Sequence, residues 1–174
     1  MKKHIFLIIA LVFGIQFTFS QTKAERKAAK LEQQEHEYAE VKSLIEDKHF
    51  TFEGEWATTQ KGRRISLIGN PNYLVVDSTQ TKAELPYFGI VQIANYGGDG
   101  GISFDNTYSD YKVNYNDKKR RATIEYATSN KNEKITVTLQ VYSLESASLT
   151  IYSSNRNSIS YDGILKPIAT KTEE

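Results

Sequence analysis

The stretch ATIEYATSNKNEKITVTLQVY, residues 122–142, decides the fold of this 174-residue chain. Apolar and polar side chains alternate on both sides of the polar segment Ser129–Asn132. A period of two places the apolar side chains on one face of a β-strand, and a short polar segment between two such strands is typical of a hairpin. The pattern therefore predicts two antiparallel strands, each with one buried face.

The same alternation extends on both sides of this hairpin. Further strands are predicted at Phe50–Trp56, Tyr73–Val76, Thr81–Leu85, Phe88–Ala94, Ile102–Phe104, Tyr111–Tyr115, Leu149–Ile151 and Ile159–Leu165. Short strands joined by short polar turns, such as Asn70–Asn72, are typical of an antiparallel meander. The predicted fold is mainly β (α+β): an N-terminal helix followed by about eight antiparallel strands, as a curved sheet, half-barrel or small sandwich.

The first predicted strand carries two glutamates. Alternation places Phe50, Phe52 and Trp56 on one face, and Glu53 and Glu55 on the other, wet face. The paired acids of glycosidases face each other across a cleft, about 5–9 Å apart. We therefore interpret these two glutamates as solvated charges.

A helix is predicted before the strands. Residues 22–48 contain no glycine or proline, and their apolar residues are spaced three and four apart. Residues 21–34 are weakly apolar and are predicted to be a charged helical or frayed segment, whereas Tyr38, Val41, Leu44 and Ile45 give the later turns a face that can dock. A single β-rich domain is predicted over residues 35–168, with a polar tail at 169–174.

The first twenty residues have the layout of a secretory signal peptide. Lys2 and Lys3 precede the apolar run Ile5–Ile15, and Ser20 is a small residue before the expected cleavage point. A transmembrane helix needs about twenty apolar residues, and this run ends at Gln16. We therefore expect export to the periplasm or beyond, with no transmembrane segment in the mature chain.

Charge and cysteine content exclude several function classes. Removing the two N-terminal lysines from the 22 basic residues leaves 20 against 21 acidic ones, a net charge of −1. A near-neutral chain has no field that attracts nucleic acid, and the absence of cysteine excludes disulfides and thiolate zinc sites. The basic segments Arg63–Arg64 and Lys118–Arg121 are interpreted as solvated charges and edge protection, with contact to anionic lipid or polysaccharide as the alternative.

No catalytic or metal-binding arrangement is evident. The mature chain has only His36 and His49, too few for a catalytic triad or a nitrogen-rich metal site. The glycine-rich segment Gly97–Gly101 permits a sharp bend, and a weak calcium site formed by Asp99, Asp105 and Asp110 is the alternative. We expect a protein that is not an enzyme and has no cofactor.

Aromatic residues concentrate in the β region. They either fill the core or line a groove that binds a small molecule. The candidate ligand-binding residues are Trp56, Tyr87, Phe88, Tyr96, Phe104, Arg156 and Tyr161. Arg156 lies in a turn that does not require arginine, so it is predicted to have a specific partner, either an internal carboxylate or an anionic ligand.

Three blocks carry a family resemblance: LPYFG at Leu85–Gly89, YGGDGGISFD at Tyr96–Asp105 and NRNSISYDG at Asn155–Gly163. From about Val41 to Pro167 the chain resembles an exported family of Bacteroidetes-type bacteria, domain of unknown function 4251. The resemblance implies a periplasmic or secreted β-rich domain with an N-terminal helix. It implies no substrate and no catalytic residue.

Two functions remain open at this point. The first is binding of a small apolar or amphipathic ligand in a groove between the helix and the curved sheet. The second is a structural or interaction role, with a sheet edge or the N-terminal helix docking on a cell-envelope partner. A lined void would favour the first function, and a packed core the second.

Overall fold

The computed structural model describes residues 22–69, 72–91 and 100–168. The predicted signal peptide, the polar tail and most of the Asn70–Asn72 turn lie outside the described residues. The chain divides into two compact units between Gln33 and Gln34. No helix among the described residues is long and apolar enough to cross a membrane.

Helix α1 extends over Lys23–Glu46. It begins with a capping box, in which the Thr22 N–H donates to the Glu25 carboxylate at 2.8 Å and the Glu25 N–H donates to the Thr22 hydroxyl at 3.2 Å. The side chains of residues 22–33 are exposed, whereas those of Tyr38, Val41 and Ile45 are buried. The later turns therefore provide the packing face of the helix, as their apolar spacing predicts.

Ten strands in the described part of the chain form one antiparallel sheet. They are β1 (His49–Thr59), β2 (Arg64–Ser66), β3 (Tyr73–Asp77), β4 (Gln80–Leu85), β5 (Ile102–Thr107), β6 (Ser109–Asn116), β7 (Arg121–Asn130), β8 (Glu133–Ser143), β9 (Ser146–Ser153) and β10 (Ile159–Pro167). Nine of them follow the order β5-β4-β3-β1-β10-β9-β8-β7-β6, and β2 pairs with β1. The predicted helix followed by an antiparallel sheet is confirmed.

The sheet curls into a nearly closed barrel because its two end strands are consecutive in the chain. Only Tyr108 separates β5, which pairs with β4, from β6, which pairs with β7. Between β5 and β7, hydrogen bonds from side chains to backbone carbonyls take the place of backbone–backbone hydrogen bonds. The Asn106 amide donates to the Ser129 carbonyl at 3.2 Å, and the Thr128 hydroxyl donates to the Thr107 carbonyl at 2.9 Å.

Alternate residues of the strands fill the interior. The buried members of the central hairpin include Ile124, Tyr126, Val137 and Leu139, on the face that their alternation predicts. They belong to one contiguous apolar cluster that also contains Ile45 of α1. Inward positions of the described strands are thus occupied by side chains packed against one another.

The predicted strand Phe88–Ala94 is wrong over its described part. Residues 88–91 belong to no strand, and residues 92–94 lie outside the described residues. The hydroxyl of Tyr87 donates to the carbonyl of Ile90 at 2.8 Å, which folds this segment back on itself. Val91 makes an isolated bridge with Arg156 instead of joining a ladder.

The predicted placement of Trp56 is also wrong. A β-bulge between Gly54 and Trp56 shifts the register of β1 against β10. One extra residue reverses the alternation beyond it, so Ala57 is buried and Trp56 faces outward. The chain's only tryptophan is therefore on the outer surface of the sheet, 38% exposed.

Half of the basic segment Lys118–Arg121 is engaged rather than solvated. The guanidinium of Arg120 donates to the Glu35 carboxylate through two nitrogens, at 2.7 and 2.9 Å. Arg121 lies over the ring of Tyr142, 4.6 Å from its centroid. The interpretation of this segment as solvated charge is corrected for these two arginines, because the helix and the outer face of β8 provide partners.

We expect stability to fall above about pH 10. Burial raises the pKa of Tyr38, Tyr111, Tyr126 and Tyr161, that of Tyr38 to about 12 with help from its hydrogen bond to Asp117. The same tyrosines ionise near pH 10 in the unfolded chain. Their contribution is therefore complete below about pH 10 and declines above it, and that of Tyr38 is lost as the pH rises through about 12.

Urea midpoints at about pH 9, 10 and 11, with the ultraviolet absorbance of tyrosinate, test this expectation. Tyr38→Phe removes one ionising group, so its midpoint should fall less steeply with pH than that of the wild type. A wild-type midpoint that stays constant over this range would contradict the expectation.

Candidate functional site

The predicted site residues lie in different parts of the structure. Phe104 and Tyr161 are buried in the core, at 3% and 0% exposed. Tyr87 and Arg156 contact each other, whereas Trp56 faces outward on β1. Phe88 is 42% exposed in the segment after Pro86, and Tyr96 lies outside the described residues. The structure therefore does not bring the predicted set together in one groove.

Arg156 forms a buried ion pair with Glu133. Its Nε and one terminal nitrogen donate to the two carboxylate oxygens at 2.8 and 3.0 Å, and the side chains are 8% and 3% exposed. The other terminal nitrogen donates to the carbonyls of Gly100 and Gly101, at 3.2 and 2.8 Å. Of the two partners predicted for Arg156, the internal carboxylate is the one present.

Tyr87 completes the surroundings of this ion pair. Its ring lies 5.2 Å from the Arg156 guanidinium, and its hydroxyl oxygen is 3.0 Å from the carbonyl of Asn157. The Tyr161 hydroxyl donates to the Pro86 carbonyl at 2.9 Å. Burial raises the pKa of both tyrosines, so both remain protonated donors at neutral pH. These contacts fix a turn, with every named partner supplied by the chain.

A groove of about 380 Å³ lies on the outer face of the sheet beside Trp56. It is lined by Glu55, Trp56, Arg64, Tyr142, Glu145, Ser146, Ala147, Ser148, Asp162 and Gly163. Trp56 and Tyr142 are 38% and 41% exposed. We call this feature the Trp56 groove. Its volume lies within the range of about 300–1,000 Å³ typical of small-molecule sites.

The bulge that exposes Trp56 depends on a close approach of two strands. Gly54 on β1 lies opposite Gly163 on β10. A Cβ atom at Gly163 would be 2.0 Å from the carbonyl oxygen of Glu53, so only glycine fits there without a backbone shift. Gly163 contributes only backbone atoms to the lining of the Trp56 groove.

Charges in the Trp56 groove are mostly acidic. Glu55, Glu145 and Asp162 line it together with a single cation, Arg64. The Arg64 guanidinium lies 4.7 Å from the centroid of the Trp56 ring, and one of its nitrogens is 3.4 Å from the Asp162 carboxylate. With Arg121, which lies over the Tyr142 ring, the groove has three carboxylates against two guanidinium groups, a small excess of negative charge.

Hydroxyl side chains cover the outer face next to the Trp56 groove. One row crosses four neighbouring strands and consists of Thr138, Thr150, Ser160 and Thr58. The row beside it consists of Gln140, Ser148, Asp162 and Trp56. These side chains alternate with the buried residues of their strands and are therefore presented to solvent.

A second groove, of about 420 Å³, lies where β5 and β6 meet β7 and β8. Its lining residues are Asn106, Thr107, Tyr108, Ser109, Ala127, Thr128, Ser129, Lys134, Ile135 and Thr136. Several of them form the side-chain bonds that join β5 to β7. This groove lies where the barrel closes, and Tyr108 is the one aromatic residue in its lining.

The histidines and the candidate calcium ligands are placed apart from the Trp56 groove. His36 and His49 pair with Glu40 and Asp77 through Nδ1, at 3.5 and 3.1 Å. Asp105 lies 3.4 Å from Lys82, and Asp99 lies outside the described residues. Within the described ranges, no group of three or more histidine or acidic side chains is arranged to hold a metal ion.

Of the residues that line the Trp56 groove, only Trp56 is among the predicted site residues, and the prediction expected it in a groove between the helix and the sheet. Tyr142, Glu145 and Ser148 follow one another around the β8–β9 turn and look like ordinary polar positions of a hairpin. The sequence feature that indicates the bulge is the pair of glycines at 54 and 163, because glycine inside a strand often marks a bulge or a close backbone approach.

Comparisons with known proteins identify a family. The sequence matches the family model described as "Domain of unknown function (DUF4251)" over residues 32–165. The fold is similar to the crystal structure of a DUF4251 family protein from Bacteroides eggerthii, with a TM-score of 0.59 and 20% sequence identity, covering 75% of this chain and 87% of that one. At this identity the likeness concerns the fold alone. No curated protein matches the sequence.

Proposed function

Because the chain belongs to the DUF4251 family, a domain of unknown function, we propose its function from its own surface: it is an exported, non-catalytic protein that binds a small amphipathic ligand in the Trp56 groove. The observation that carries the proposal is the outward position of the only tryptophan. A bulge turns this side chain from the core into a groove of ligand size. Large exposed aromatic side chains in a groove are typical of binding sites.

The groove is suited to an amphipathic molecule rather than a wholly apolar one. The rings of Trp56 and Tyr142 provide apolar contact, whereas Glu55, Ser148 and Asp162 provide polar groups that fix orientation. The packed interior argues against a ligand between the helix and the sheet and, by the criterion of a lined void, counts towards an interaction role. The support for ligand binding comes from the groove on the outer face of the sheet.

Binding can be measured through Trp56 itself. Its emission should change in intensity or wavelength on titration with at least one of three probes of different chemistry: cellobiose, dodecanoate and tyramine. The reporter is specific because the chain has one tryptophan. As a control, Tyr152→Ala removes an aromatic residue that is 53% exposed on the same face outside the groove, and it should leave the titration unchanged. If none of the probes changes the emission, the proposal fails.

Export is supported by the order of the N-terminal residues, a basic start, a short apolar run and a small residue. Expression of the full chain in a Gram-negative host should give a periplasmic protein that begins at Gln21, as measured by intact mass. The control variant Leu11→Arg interrupts the apolar run and should leave the full-length chain in the cytoplasm. A wild-type chain that keeps its first twenty residues would contradict cleavage.

An interaction role through a sheet edge has less support. The end strands β5 and β6 are joined through Tyr108, and the space between β5 and β7 is bridged by side-chain hydrogen bonds. Strand β2 offers an edge of only three residues, Arg64–Ser66, in the described part of the chain. Strand β6 pairs only with β7 in the described part of the chain, so its eight residues are the edge that strand addition would use in this alternative.

A further inference from the structure

We infer that the ligand of the Trp56 groove is a carbohydrate, a short chain of neutral pyranose rings; this inference rests on the proposed function. A pyranose ring has an apolar face of C–H groups and a rim of hydroxyl groups. It therefore requires a site with flat aromatic walls and a floor of small polar groups. The Trp56 groove provides both.

The aromatic walls stand at the two ends of the groove. Trp56 is on β1 and Tyr142 on β8, and β10 and β9 lie between these strands. Three strand spacings of about 4.8 Å separate the two backbones by about 14 Å. A short saccharide chain spans a distance of this order, with rings that are not adjacent in the chain stacked on the two aromatic side chains.

The floor between the walls consists of small or polar residues, Ser146, Ala147, Ser148, Asp162 and Gly163. A sugar hydroxyl both donates and accepts hydrogen bonds. Carboxylates accept, a guanidinium donates and serine hydroxyls do both, so the lining matches a ring of hydroxyl groups.

Electrostatics favour a neutral ligand over an ion. The excess of carboxylates in the groove repels an anion such as a fatty acid. A cation would have to compete with arginines that already lie over both aromatic rings, Arg64 over Trp56 and Arg121 over Tyr142. A neutral polyhydroxylated molecule is repelled by neither the carboxylates nor the guanidinium groups, although it too must displace Arg64 to stack on Trp56.

Arg64 is held weakly enough to leave the Trp56 ring. The side chains of Arg64 and Asp162 are 57% and 50% exposed, and their contact at 3.4 Å is longer than a charge-assisted hydrogen bond of about 2.7–2.9 Å. A pair this exposed contributes little to stability, so its displacement by a sugar ring has a small cost. The freed guanidinium can then donate to ligand hydroxyl groups.

The outer face also allows a longer chain to bind. The hydroxyl row that ends at Thr58 lies directly beside the row that ends at Trp56. Both rows cross the same four strands, so polar contacts continue beyond the groove. We therefore expect a trisaccharide or tetrasaccharide to bind more tightly than the corresponding disaccharide.

The test is a titration of the ¹⁵N-labelled protein by NMR with cellobiose, cellotetraose, maltose, maltotetraose and N,N′-diacetylchitobiose, and separately with dodecanoate and tyramine. At least one saccharide should shift the amide signals of Trp56, Ser148 and Asp162. Trp56→Ala should weaken that binding at least about tenfold, and Tyr142→Ala should also weaken it. Tyr152→Ala should bind as the wild type does, because Tyr152 is exposed on the same face but does not line the groove.

Each outcome decides between the two proposals. If dodecanoate or tyramine shifts these amide signals and no saccharide does, the carbohydrate inference is wrong and the proposed binding function stands. If saccharides shift only signals of the second groove, where β5 and β6 meet β7 and β8, the proposed location of the binding site is wrong. The same conclusion follows if Trp56→Ala binds saccharides as the wild type does. If no probe shifts any signal, both proposals fail.

Discussion

Replacing Arg156 with alanine is expected to lower the free energy of unfolding by about 3–5 kcal/mol. The substitution leaves the carboxylate of Glu133, 3% exposed, buried without its guanidinium partner. Removing one member of a buried ion pair is strongly destabilising because the remaining charge has lost its solvation and its counter-charge. The carbonyls of Gly100 and Gly101 lose the same donor. Urea unfolding followed by circular dichroism measures the loss.

Three variants separate this mechanism from a general effect of losing arginine. Arg156→Lys keeps the charge without the bidentate hydrogen bonding and should lower the free energy of unfolding by about 1–3 kcal/mol. Arg156→Ala combined with Glu133→Gln removes both charges and should be less destabilised than Arg156→Ala alone. Arg64→Ala breaks the exposed contact with Asp162 and should cost at most about 1 kcal/mol. Equal losses for Arg64→Ala and Arg156→Ala would contradict the mechanism.

Replacing Gly163 with alanine is expected to lower the free energy of unfolding by about 3 kcal/mol. The new Cβ would lie 2.0 Å from the Glu53 carbonyl oxygen and 2.9 Å from the Gly54 Cα. Both neighbours are backbone atoms, so a side-chain rotation cannot relieve the overlap. Strands β1 and β10 must separate at the bulge, and the environment of Trp56 must change with them.

Gly54→Ala is the matched control, since Gly54 and Gly163 are opposite each other in the ladder. Its Cβ would meet a methyl group of Leu67 at 3.3 Å and the Asn72 carbonyl at 3.4 Å, and the leucine can move. We expect a loss of at most about 1 kcal/mol and an unchanged Trp56 emission spectrum. A Gly163→Ala protein as stable as Gly54→Ala would show that the close approach is not required.

Much of the fold can be predicted from local sequence pattern, and the predictions that fail do so for identifiable physical reasons. The alternation around Ile124 and Val137 predicts their burial because the pleat of a strand sets the face of each side chain. The same rule fails at Trp56, because an extra residue in the bulge reverses the alternation. That bulge is set by the approach of β10, more than a hundred residues further along the chain. A local pattern does not contain this information.

Less of the candidate site than of the fold can be predicted from the sequence. An arginine in a turn predicted a partner for Arg156, but Glu133 lies 23 residues earlier and meets it only because β8 and β9 pair as a hairpin. The residue type of Tyr161 predicts a ligand contact, whereas its place in the strand buries it. The Trp56 groove combines residues from β1, β2, β8, β9 and β10, and its lining depends on sheet order.

The pairing of β1 with β10 has a consequence for how the chain folds. Phe50 lies opposite Pro167 in the ladder, so the first strand of the chain pairs with the last one. The strands from β6 to β10 pair with sequence neighbours and can form early, whereas β1 must close a loop of more than a hundred residues. Such long-range pairing slows folding. The Trp56 groove, which needs β1 and β10 side by side, is therefore among the last parts of the molecule to form.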